Sequence, residues 1–248
     1  MPVTPLDFIG VPDWRSLLLS VAFALPWLAL LARGWLRRGW IWVGVGLAAL
    51  LFPVSIAWVQ VPAQQALAAI WERLLTPEAL QRWAPLIAIP SLLVASVVQE
   101  GAKLLVALAV LWRLDARQDR SAGLAAGAGA GAGYGAAEAF WVFNLIFSAG
   151  LTWATVQLQG PAALLGFVER LFAVPFHVGT GALLGYGLAA GRPRRYFLLT
   201  VALHTISNYG VVLLGIGALN SIGAEVWGAV LAAVTIGLAL RLRARSTA

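Results

Sequence analysis

Apolar runs of membrane-spanning length follow one another along almost the whole chain, separated by short polar breaks. A spanning helix needs about 20 apolar residues. Seven segments meet that length, at about 16–36, 40–61, 86–112, 121–147, 161–190, 196–214 and 219–240. Pro26 falls inside the first and predicts a kink there. Over about 63–84 the pattern changes. Leu67, Ile70, Leu74 and Leu75 share a helical face, and Gln64, Gln65, Glu72 and Arg73 lie opposite. That predicts an amphipathic helix on the membrane surface. The expected fold is all-α, a single integral-membrane domain over 1–248 with about seven transmembrane helices.

Composition fixes the class and charge gives it a direction. Apolar residues make up 61% of the chain and charged residues 11%, with mean hydropathy +0.86. A soluble domain carries about a quarter charged residues. The net charge of +7 does not point to nucleic acid, because the arginines sit in short clusters between the apolar runs. Arg33, Arg37 and Arg38 follow the first run, Arg113, Arg117 and Arg120 the third, Arg192, Arg194 and Arg195 the fifth, and Arg241, Arg243 and Arg245 the seventh. The other side has Arg15, Arg73 and Arg82. This bias predicts an outside N-terminus and a cytoplasmic C-terminus. With no cysteine there is no disulfide or thiolate chemistry, and the single methionine argues against a soft-metal site. The first residues, MPVTPLDFIGVPDWR, lack the pattern of a cleavable leader.

The fourth run is the unusual one. Gly123, Gly127, Gly131 and Gly135 recur every four residues and make one smooth helix face. Small residues let membrane helices approach closely, so the stripe predicts tight packing on a neighbouring helix or a partner protein. Glu138 lies just beyond it. The run lacks the Lys-Ser/Thr ending of a phosphate loop.

Strongly polar residues inside the runs are few. They are Gln99, Glu100 and Lys103; Glu138 and Asn144; Glu169, Arg170 and His177; and His204, Ser207 and Asn208. A lone charge in mid-bilayer costs about 2.5–3.5 kcal/mol on insertion scales, so such groups pair or face a water-filled cavity. A rise of about 1.5 Å per residue puts Glu100, His177, His204 and Asn208 near one level. Glu138 falls closer to the depth of Glu169 and Arg170. The set suits hydrolysis: a carboxylate takes a proton from water, a histidine holds or shuttles it, and an amide donates to the developing oxyanion. His177 and His204 with Glu138 or Glu100 are also compatible with zinc, although no H-E-x-x-H spacing is present. In the plain structural reading, Glu100 and Lys103, at i and i+3, are only a neutralising ion pair.

Four motifs in order resemble a family. QEGAK at 99–103, GAGYGAAEAFWVFN at 131–144, ERLFAVPFHVGTGALLGYGL at 169–188 and LHTISN at 203–208 are similar to the four motifs of the intramembrane proteases that include PrsW, YhfC and the CAAX-prenyl endopeptidases. The likeness covers about 96–210 of the chain. It implies a glutamic-type intramembrane endopeptidase of a bacterial or archaeal plasma membrane, acting on membrane-embedded peptide segments. Glu100 would activate water with Glu138 as second carboxylate, His177, His204 and Asn208 would position water and stabilise the intermediate, and Lys103 would neutralise the carboxylates. No cofactor would be required, with zinc as the variant. Gln99 stands where the family's motif has a first glutamate. The chain also resembles the Aph subunit of γ-secretase in length, topology and glycine stripe, which implies a non-catalytic scaffold instead. A proton-coupled transporter is a third reading, because Glu and His chains also mark proton relays.

Overall fold

The computed structural model describes residues 3–113 and 119–247. Arg117, counted above among the cytoplasmic arginines, lies outside them. Among the described residues every regular element is helical. Helix α1 spans Trp14–Ala32 and is capped by Asp13, whose carboxylate accepts from the Arg15 amide at 2.8 Å. Helix α2, Gly39–Ser55, passes through one π-helical turn, Ile56–Gln60, into α3, Val61–Leu74. Pro62 explains the wide turn, because it has no N–H for the Trp58 carbonyl and its ring crowds that position.

The helix expected over 63–84 is in two pieces. Its first part continues α2, and α4, Pro77–Arg82, starts anew. Leu75 is extended, Thr76 accepts from the Ala79 amide at 3.3 Å, and Pro77 opens the new helix. The remaining elements are α5, Ala84–Arg113; α6, Arg120–Ser148; α7, Trp153–Gln159; α8, Leu165–Ala189; α9, Pro193–Gly215; and α10, Ser221–Thr247. A 3-10 segment, Gly160–Leu164, joins α7 to α8.

Among the described residues six helical stretches are long and apolar enough to cross a membrane: α1, α2 with α3, α5, α7 with α8, α9 and α10. The chain is thus a multi-pass integral membrane protein. Helix α6, expected as the fourth span, is not among the six. Its glycines and alanines are less apolar than leucine, and they do not need to meet lipid. Every residue from Ala122 to Gly135 is buried, enclosed by α1, α2, α5 and α8.

Glycine makes that enclosure possible on two faces. A Cβ at Gly127 would overlap the Gly181 carbonyl on α8, and one at Gly131 would overlap the His177 carbonyl. Gly181 and Gly185 return the fit from α8 against Gly127 and Gly123. The expected stripe thus meets α8 of the same chain. A second pair, Gly129 and Gly133, faces α2, where a Cβ at Gly133 would strike the Val45 carbonyl. These close approaches fix the height of α8 against α6, and so the height of His177 against Glu138.

Candidate functional site

Four helices deliver the buried polar groups to one place. Helix α5 brings Gln99, Glu100 and Lys103, α6 brings Glu138, α8 brings Arg170, His177 and Thr180, and α9 brings His204 and Asn208. Within each helix the spacing of three, four or seven residues puts the groups on one face.

Lys103 is the hub. It is fully buried, and its ammonium meets three acceptors: Glu100 Oε1 at 2.6 Å, Thr180 Oγ1 at 2.7 Å and His177 Nδ1 at 3.3 Å. An ammonium has three N–H bonds and nothing to accept with, so the set is complete. It also fixes a tautomer. His177 Nδ1 accepts from Lys103, so its proton sits on Nε2, which lies 2.9 Å from Glu138 Oε2. His204 is held the other way round. Its Nδ1 lies 2.6 Å from Glu100 Oε1 and donates to that carboxylate, leaving Nε2 as the acceptor. The two imidazoles meet edge to face with centroids 5.2 Å apart.

Glu138 holds the outer end of the network. Oε1 accepts from Arg170 Nη1 at 2.6 Å, and Arg170 also pairs with its neighbour Glu169. The His177 contact to Oε2 is within ion-pair distance but off the hydrogen-bond axis, so Oε2 has no aligned donor. Glu100 Oε2 and Gln99 Oε1 are likewise buried without a hydrogen-bond partner. Gln99 Nε2 donates to Gln60 Oε1 at 3.1 Å, and the π turn of α2–α3 is what supplies Gln60.

A cavity of about 220 Å³ opens beside these groups. Gln99, Glu138, Arg170, His177, His204, Ser207 and Asn208 line it. Glu100 and Lys103 do not, since both are fully buried behind the histidines. The carboxylate expected to activate water therefore touches His204 rather than the cavity. Asn144 is elsewhere: its side chain donates to the Ile9 carbonyl at 2.7 Å and accepts from the Asp13 amide at 3.0 Å, tying down the N-terminal segment.

Three participants carried no sequence signal strong enough to single them out. Thr180 is an unremarkable residue in a membrane helix, and only its place three residues after His177 marks it. Gln60 ends an apolar run. Glu225 lies inside the seventh run and was the one acidic residue there to notice; it lines the cavity from α10.

As a metal site the set falls short. Both ring nitrogens of His177 face other partners, Lys103 and Glu138, and one nitrogen of His204 is bonded to Glu100. Zinc takes three protein ligands even in an open catalytic site, and no group of three His, Asp or Glu side chains among the described residues is arranged to hold one. No family model, curated protein or solved structure matches the chain.

Proposed function

We propose that the chain is an intramembrane endopeptidase that hydrolyses peptide bonds of membrane-embedded segments. The observation that carries the reading is a carboxylate–imidazole pair, Glu100 to His204 at 2.6 Å, whose imidazole lines a cavity shared with Glu138, Arg170 and Asn208 inside an apolar bundle. In this reading α6 is a seventh pass, sheathed by the other helices. The N-terminus is outside and the arginine-rich ends are cytoplasmic, in a bacterial or archaeal plasma membrane.

His204 is the base. It keeps one acceptor nitrogen after bonding Glu100, whereas Glu138 Oε1 is already committed to Arg170. A cavity water donating one hydrogen to His204 Nε2, beside Glu138, is the nucleophile. His204 takes its proton as the water oxygen bonds to the scissile carbonyl carbon, and the carbonyl electrons move to oxygen. Asn208, one turn beyond His204, and Arg170 supply donors to that oxyanion. The intermediate collapses with cleavage of the C–N bond. The imidazolium returns its proton to the leaving amine, and the products are a carboxylic acid and an amine. Glu100 orients His204 and balances its charge while it is protonated, and Lys103 supplies the counter-charge beside Glu100 in an apolar core.

The test is cleavage of single-span membrane peptides co-reconstituted with the full chain in liposomes, read by mass spectrometry. The parental chain cuts within or beside the span, and the His204→Ala and Glu138→Ala variants do not. Equal cleavage by both variants would end the proposal. The saturated shell of Lys103 supports a second reading, a non-catalytic scaffold, because such a shell also fixes helix register. A parental chain that cuts no peptide yet purifies with a stoichiometric membrane partner would favour it.

A further inference from the structure

At the end of the bundle away from the Arg170 side of the site, α9 begins and α10 ends, and a groove of about 650 Å³ lies between them. We infer that this groove is a binding site for one anionic phospholipid, its phosphate held by Arg195, Arg241 and Arg245 and an acyl chain laid along the leucines. The inference does not depend on the proposed peptidase activity.

Charge is the first argument. Arg241 and Arg245, four residues apart on α10, share a face, and Arg195 approaches from α9. All three are exposed and line the same groove. Among the described residues no carboxylate lines it and none of the three has an acidic partner. Guanidinium forks match phosphate oxygens in pairs. Basic pockets between membrane helices at the headgroup level are suited to anionic lipid.

Shape and lining select a lipid over a free anion. The groove is far larger than a phosphate group, and its remaining wall is largely leucine. Leu183 is buried at the base, Leu198 stands exposed on α9, and Leu242 flanks Arg241 and Arg245. A hydrated ion gains nothing from those side chains, whereas an acyl chain does. The groove is also preformed. Tyr196 packs on Tyr186 with centroids 5.5 Å apart and sits over Gly187, where a Cβ would come 2.5 Å from the tyrosine Cβ. That contact pins the first turn of α9 to α8.

The experiment is native mass spectrometry of the full chain released from nanodiscs of phosphatidylglycerol and phosphatidylcholine in equal parts. One phosphatidylglycerol is expected to stay bound in preference to phosphatidylcholine, and millimolar inorganic phosphate is expected not to displace it. The Arg241→Gln/Arg245→Gln variant is expected to lose affinity by roughly fivefold per arginine removed. The control Arg37→Gln/Arg38→Gln changes the same charge at the same end of the bundle and is expected to leave retention unchanged. Equal retention of the two lipids by the parental chain overturns the inference. So does equal loss in both variants, which would mean diffuse attraction, and so does displacement by phosphate, which would mean an anion site without lipid.

Discussion

Glu100 on α5 and His204 on α9 are 104 positions apart in sequence, yet Glu100 Oε1 and His204 Nδ1 lie 2.6 Å from each other. That bond dictates which ring nitrogen carries the proton. Glu100→Gln keeps the shape but removes the charge that holds the tautomer and balances the imidazolium. In the proposed reaction kcat is expected to fall by roughly 10²–10⁴-fold with KM little changed. The double variant with His204→Ala is expected to be no slower than His204→Ala alone, since the two act as a unit. Steady-state cleavage in liposomes measures both.

Lys103→Met leaves a carboxylate buried without its counter-charge. The fold is expected to lose about 3–5 kcal/mol. Adding Glu100→Gln removes the stranded charge and is expected to restore part of the loss. Unfolding in mixed micelles, followed for the single and double variants, gives the two values.

The glycines of α6 are not equivalent. Gly131→Ala places a methyl group against the His177 carbonyl, which is backbone and cannot move aside. At Gly135 the nearest atom is the His177 Cβ, 3.0 Å away. At Gly101 on α5 nothing lies within 4 Å. The expected order of damage is Gly131→Ala, then Gly135→Ala, with Gly101→Ala neutral or stabilising by roughly 0.5–1 kcal/mol. Thermal denaturation of the three variants in one detergent ranks them.

Asn144→Ala is expected to loosen the N-terminal segment without touching the chemistry. It removes the bonds to Ile9 and Asp13. A cost of about 1–2 kcal/mol follows, with earlier proteolysis before Trp14 and an unchanged rate of peptide cleavage. Limited proteolysis beside the cleavage assay separates the two effects.

Polar residues in apolar runs are expensive, and that is why the site could be read so far from sequence. Glu100, Lys103, Glu138, Arg170, His177, His204 and Asn208 all stood out for that reason, and the structure brings them to one network or its cavity. What periodicity could not give was the partition between wall and interior. Depth along a helix places Glu100 at the right level, but only the packing of α9 across α5 shows that His204 covers it. The number of passes was harder for the same reason. Hydropathy measures fitness for lipid, and α6 meets protein on every side over its first half. The second glycine face, Gly129 and Gly133, was hidden because a run alternating glycine and alanine satisfies several spacings at once, and the close approach of α2 selects this one.

The enclosure of α6 has a consequence for how the chain is made. A helix this poor in leucine gains little from entering a bilayer alone, and its glycine faces are filled by α2 and α8. Helix α2 precedes it during synthesis and α8 follows, so α6 waits for a partner not yet translated. Glu138 reaches His177 and Arg170 only when α8 arrives. The order of synthesis thus leaves the network unassembled in any chain that ends before α8.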